Sequence, residues 1–171
     1  MRKIIYYVTA SLDGFIARPD GAIDWLLDTG PEDFGYSEFF ETIDTVVLGR
    51  KTYEQALTFG EYPYPTKQSF LFSRTLHHAE HAEIVKMPVE EFVSEQKGRI
   101  GKDIWLVGGG EIAKAFFEAK AIDELIVFIQ PILLGDGLPV AGHLGKDIRL
   151  RLKSGTPFPE GLVRLDYEVA R

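Results

Sequence analysis

No cysteine occurs in the 171 residues. A disulfide framework, a thiolate metal centre and a cysteine nucleophile are therefore excluded. Basic side chains are the minority sign, 19 Lys and Arg against 26 Asp and Glu, for a formal charge of −7. A general nucleic-acid binder carries a basic face, and this balance argues against one. A small anion is a different matter, because the field inside a cleft is set by the charges that line it. Long apolar runs are missing as well. The N-terminal run Ile4 to Ala10 turns polar at Ser11-Leu12-Asp13-Gly14, well short of the ~20 apolar residues of a spanning helix, and lacks the cleavage site of a secretory leader. The expectation is a cytoplasmic protein with no membrane partner. No repeat, low-complexity tract or Gly/Pro/Ser-rich linker divides the chain, so residues 1–171 read as one domain.

What is present alternates. Short runs rich in β-branched and aromatic residues fall at Ile4 to Ala10, Thr45 to Gly49, Ser69 to Phe72, Asp103 to Val107 and Glu124 to Ile129. They are continuous rather than alternating, as strands covered on both faces are. Helical spacing appears between them at Pro31 to Ile43, Thr52 to Leu57, Val89 to Gln96 and Glu111 to Ala119. The tail changes pattern: Ile148 to Lys153 and Leu162 to Val169 alternate, joined by Gly155 to Gly161. That predicts an antiparallel hairpin with one solvated face. The sum is an α/β fold, three layers α-β-α, with a mixed, mostly parallel sheet closed by a C-terminal hairpin.

Three strand-to-helix junctions carry phosphate chemistry. Val107-Gly108-Gly109-Gly110-Glu111 lets a backbone pass close to a ligand and offers unpaired N–H groups at a helix start. Leu48-Gly49-Arg50-Lys51-Thr52 supplies two cations and a hydroxyl, and Phe72-Ser73-Arg74-Thr75 a hydroxyl and a guanidinium. Cations at a helix start work against the helix dipole unless an anion compensates. The carboxyl ends of parallel strands are where open α/β sheets hold ligands.

The set Gly49 to Glu54 (Gly-Arg-Lys-Thr-Tyr-Glu) with Val107 to Gly110 resembles the dihydrofolate reductase fold. The segments Ser11 to Ala17 and Asp123 to Gly135 are more similar to the reductase domain of riboflavin biosynthesis. The resemblance covers about residues 4 to 136 and implies a stand-alone member of the superfamily those two share. It implies an NADPH-dependent reductase acting on a small heterocycle of pteridine or pyrimidine type. On it, Gly49, Arg50, Lys51, Thr52, Ser73 and Arg74 hold the 2′-phosphate ribose. Val107, Gly108, Gly109, Gly110, Glu111, Ile112 and Ala113 cradle the pyrophosphate, and Ala10, Ile16 and Gly21 border the nicotinamide. Asp33, seventeen residues before Arg50, is the candidate acid, with Asp13 and Trp25 also on the substrate side. As residues alone, Asp33 is equally a first-turn helix acid, Asp13 a turn former and Trp25 a core side chain.

Two departures stand out: the riboflavin-pathway reductase carries Lys where this chain has Tyr7, and Glu where it has Gly108. Dihydrofolate-type and riboflavin-type reduction both remain open. So does a non-catalytic NADP(H)-binding regulatory module. The resemblance also implies a homodimer, for which the apolar run Ile126 to Leu134 before Gly135-Asp136-Gly137 offers a surface. No metal is expected. His77, His78 and His81 with Glu80 and Glu83 lack the His-Glu-x-x-His order, and Asp20, Asp24 and Asp28 lack the calcium-loop order and its closing Glu.

Overall fold

The computed structural model describes residues 1–28 and 30–170. Its spine is an eight-stranded sheet built from β1 (Ile4–Ser11), β3 (Ile43–Gly49), β4 (Gln68–Phe72), β5 (Glu83–Val85), β6 (Asp103–Gly108), β7 (Glu124–Gln130), β9 (Leu150–Pro157) and β10 (Val163–Val169). The order is β5-β4-β3-β6-β1-β7-β10-β9. From β5 through β7 every pairing is parallel, and β10 runs antiparallel to both its neighbours. A second, two-stranded sheet pairs β2 (Phe15–Ala17) with β8 (Leu138–Pro139).

Alternate residues of the central strands feed two cores, one on each face. Ile4, Tyr6, Val47, Ile104, Leu106 and Val127 pack with Phe92 of helix α3 (Val89–Gly98) and with Ile112, Ala113, Phe116 and Phe117 of α4 (Gly110–Glu118). Ile5, Val46, Leu48, Leu71, Trp105 and Phe128 pack with Phe39 of α1 (Tyr36–Thr42) and Tyr53 of α2 (Arg50–Ala56). Burial of a large apolar side chain contributes about 1.5–3 kcal/mol, so these two layers dominate stability. The three-layer α-β-α arrangement with a mixed, mostly parallel sheet is the one the strand and helix spacing predicts.

Three local expectations change. The first helix begins at Tyr36, not Pro31, because Asp33 folds back on the chain: its carboxylate accepts the N–H groups of Gly35 at 2.9 Å and Ser37 at 3.1 Å. Gly35 then takes the left-handed conformation at φ 83° that lets the helix start. In the hairpin, β9 is exposed along its whole length, so both faces are solvated at this edge rather than one. It also runs to Pro157, further than the alternating pattern reaches, with a register shift opposite Asp166 and Tyr167. In the run 126–134, Ile126, Val127 and Phe128 belong to the core, and only Leu133 is a strongly exposed apolar side chain.

Candidate nucleotide cleft at the carboxyl edge

The parallel strands β1, β3, β4, β6 and β7 end on one edge, at Ser11, Gly49, Phe72, Gly108 and Gln130. A cleft of about 1340 Å³ runs along it. Arg50, Lys51 and Thr52 enter it from the β3–α2 junction, Ser73, Arg74 and Thr75 from the end of β4, and Gly109, Gly110, Glu111 and Ile112 from the β6–α4 junction. Ile16, Ala17, Gly21 and Ile23 close one side from the segment after β1.

Local chemistry explains the convergence. A register shift between β3 and β6 leaves Val107 without a direct partner just before the glycines, bending the end of β6. Gly108 sits at φ 125°, a conformation that a side chain rarely adopts, and the Gly108–Gly109 peptide is cis. A Cβ on Gly109 would lie 3.5 Å from Thr52 Oγ1 and 3.9 Å from Ile16 Cδ1, so three separate segments meet at this backbone. A Cβ on Gly110 would lie 2.5 Å from the Pro139 carbonyl oxygen. The Gln55 amide donates to the Gly21 carbonyl at 3.2 Å and ties α2 to the segment carrying Ile16 and Ala17.

The cations are held ready. Arg50 lies 3.8 Å from Glu54 in a loose helical pair. Lys51 and Arg74 have no hydrogen-bond or ion-pair partner among the described residues and are exposed. Ser73 is buried, its oxygen accepting the Leu76 N–H at 3.1 Å, which leaves the hydroxyl proton free to donate. Lys86, at the end of β5, adds a fourth cation beside Met87, Pro88 and Val89. Its ammonium lies 3.4 Å from His77 Nδ1. Lys86 was not foreseen, because β5 has three residues and leaves no visible apolar run. The signal was there in miniature: Glu83-Ile84-Val85-Lys86 is again a strand closed by a cation.

Several expected residues lie elsewhere. Ala10 and Ala113 are fully buried in the core, Gly108 is buried and packs near the Tyr6 ring, and Val107 packs against the second core. None of these four lines the cleft. Asp13 ties two loops together: it takes the Ser11 hydroxyl at 2.6 Å and the N–H groups of Leu134 at 3.1 Å and Gly135 at 2.7 Å. Those bonds, the Ser11 hydroxyl first, hold its carboxyl below the ordinary range. Asp33 is exposed and both its oxygens are occupied by the turn that starts α1; contacts from Ser37 and then Gly35 hold its pKa low. A carboxyl ionised this firmly makes a poor proton donor at neutral pH. Trp25 is buried at 7% exposure, and its indole N–H has no partner among the described residues. A buried donor without an acceptor costs about 1–3 kcal/mol, a cost that a ligand or water can relieve.

The His81 ring stacks on Tyr62 at 4.6 Å, and the described residues contain no group of three or more His, Asp or Glu side chains placed to hold a metal ion. No described helix is long and apolar enough to cross a membrane.

A mostly parallel sheet with this order, with a glycine turn after β6 and cationic and hydroxyl side chains at successive strand ends, is the architecture of the dihydrofolate reductase fold. Dihydrofolate reductase from Enterococcus faecalis, solved with NADP(H), superposes at a TM-score of 0.74 over 99% of this chain and 97% of its own, at 19% identity. The chain belongs to the RibD C-terminal domain family, which matches residues 2–164. YwjB of Bacillus subtilis (strain 168) is 39% identical over 97% of both chains, and YyaP of the same organism 31% identical over 97% of this chain and 94% of its own. A protein from Shewanella sp. PV-4 superposes at a TM-score of 0.89 with 26% identity and complete coverage of both chains. The Thermotoga maritima deaminase and 5-amino-6-(5-phosphoribosylamino)uracil reductase superposes at 0.76 with 17% identity, over 99% of this chain and 57% of that one. Family and fold are those of reductases.

Proposed function

We propose that this chain is an NADPH-dependent reductase that passes hydride to a pteridine- or pyrimidine-like heterocycle. The observation that carries the reading is one cleft with Arg50, Lys51, Arg74 and Lys86 along it and a glycine turn beside them. The donor set fits the cofactor. Guanidinium and ammonium groups form charge-assisted bonds to the phosphate that distinguishes NADPH from NADH, and the Ser73 hydroxyl adds a neutral donor. Gly109 and Gly110 line the cleft with bare backbone for the pyrophosphate, and their lack of side chains lets Thr52, Ile16 and Pro139 pack directly against the turn. Ile16, Ala17 and Ile23 supply an apolar wall for the nicotinamide.

When bound, NADPH supplies a hydride from C4 of its nicotinamide to a carbon of the acceptor. The chain's part is orientation and exclusion of water. Reduction of a C=N bond also requires a proton on nitrogen. We assign that proton to solvent rather than to Asp33, whose carboxylate is committed to the α1 turn. Trp25, with its unpartnered indole N–H, takes the substrate-side role. Trp25→Phe keeps an aromatic ring but removes the donor, and should weaken acceptor binding without weakening NADPH.

The test is oxidation of NADPH, followed by loss of its nicotinamide absorbance, across pterin, folate and aminouracil acceptors. Turnover with a member of that set supports the reading. Tight NADPH binding with no oxidation by any of them would instead favour a regulatory module that retains the cofactor. A homodimer belongs to the same proposal, and sedimentation velocity at micromolar protein tests it.

A further inference from the structure

The strand order sorts the cleft into two chemically unlike ends. Lys86 follows β5, Arg74 follows β4, Arg50 follows β3, the glycine turn follows β6, and Ile16 and Ala17 follow β1. Five neighbouring strands at about 4.8 Å spacing lay this series out over roughly 19 Å. The cations occupy the β5–β3 end. On the reading above, the nicotinamide lies at the β1 end, and an acceptor must reach it from the side of β1 and β7.

That side has few cations, and each is ion-paired. Between Lys3 and Arg50 the chain has one cation, Arg18, and the segment from Leu12 to Gly35 carries six carboxylates. Between Lys120 and Lys146, across the end of β7 and the loop after it, there is no Lys or Arg at all. Arg18 is itself neutralised: its guanidinium donates to both carboxylate oxygens of Asp24, at 2.6 and 3.3 Å. Arg164 of β10, whose guanidinium lies 5.7 Å from the Phe128 ring centroid, donates likewise to both carboxylate oxygens of Asp166, at 2.8 to 3.3 Å. The rest of this end is apolar or neutral. Leu12, Leu26, Leu27 and Leu133 are exposed there, Trp25 offers its unpartnered N–H, and the Gln130 amide oxygen accepts the Leu27 N–H at 3.4 Å.

A phosphate dianion brought to this end would meet carboxylates within a Debye length of about 8 Å and no unpaired cation among the described residues. We propose that the hydride acceptor is an uncharged planar heterocycle carrying no phosphate, and that Asp24 enforces the choice by holding Arg18. This rests on the reductase reading and narrows its substrate class, away from a phosphoribosyl-bearing pyrimidine.

The test uses the full chain saturated with NADP⁺ and calorimetric titration of four probes: a pterin and an aminouracil, each bearing a ribityl group with or without its 5′-phosphate. At least one unphosphorylated probe should bind, and its phosphate about tenfold or more weakly. Tighter binding of a phosphate, or binding of no probe, overturns the proposal. Asp24→Asn frees Arg18 and should narrow the gap about threefold or more, a shift of roughly half a decade in the affinity ratio. An unchanged gap overturns the part assigned to Asp24. NADPH titration of the same sample separates the two levels: no NADPH binding defeats the reductase reading, whereas normal NADPH binding with a preference for phosphate defeats only this inference.

Discussion

Arg74 is exposed, bonded to nothing among the described residues, and set beside a cleft. Such a side chain costs little to keep and gains most from an anion. A charge-assisted bond contributes about 1.5–3 kcal/mol, so Arg74→Ala should raise the dissociation constant for NADPH about tenfold or more while leaving NADH unaffected. Comparative fluorescence titration of the two nucleotides reads this directly, and an equal loss for both would assign Arg74 elsewhere. Asp33 makes the opposite case. Asp33→Asn should lower the melting temperature slightly through the α1 turn and leave kcat and its pH profile unchanged; a hundredfold fall in kcat would return Asp33 to the chemistry. The sequence leaves Asp33 equally open as an acid on the substrate side and as a first-turn helix residue, and the hydrogen bonds its carboxylate accepts, which spacing does not encode, favour the turn.

At the scale of elements, the β6–α4 turn makes strict demands on its backbone. Gly110 faces the Pro139 carbonyl, and the Gly142 N–H lies 3.3 Å from where a Cβ would stand. Gly110→Ala should therefore cost about 1–3 kcal/mol of stability, as overpacking does, and weaken NADPH as well. Denaturant unfolding and nucleotide titration of the same variant measure both effects, and a neutral variant would show that β8 yields freely. This turn was legible because three glycines between a strand and a helix have few other uses. The partner that covers it was not legible. Strand β8 has two residues and pairs with β2 across more than a hundred positions, so no local pattern announces it. The spacing over-extends the first helix for a related reason: Pro31-Glu32-Asp33 has the composition of a first helical turn, but Asp33 uses its oxygens on the turn that starts α1.

Across the whole molecule, the two edges of the sheet divide the labour. The carboxyl edge holds the cleft, while the amino edge is braced by ion pairs. Glu124 accepts from Lys3 at 2.7 Å and Lys153 at 3.0 Å, joining the N-terminus, β7 and β9. Burial alone would raise the Glu124 carboxyl, but the two ammonium groups outweigh it and leave its pKa lowered. A carboxyl lowered in the fold stabilises above its unfolded pKa, and that stability is lost as pH falls through the folded value. Glu124→Gln should therefore flatten the acid limb of the stability curve below about pH 4.5 relative to the parent chain, measured by urea unfolding against pH. An identical acid limb would show the brace to be solvent-screened. The sheet order itself followed from the alternation of buried runs and helices. The exposure of β9 did not, because alternation in a sequence fixes which residues share a face but not whether anything covers it. Net charge misled least once it was localised: the chain is acidic overall, yet four cations stand at neighbouring strand ends. The claim that they hold the 2′-phosphate of NADPH is tested most directly by calorimetric titration of the full chain with NADPH and NADH at one salt concentration. NADPH should bind about tenfold or more tighter than NADH, a difference that shrinks as salt is raised. Equal binding of the two would contradict it.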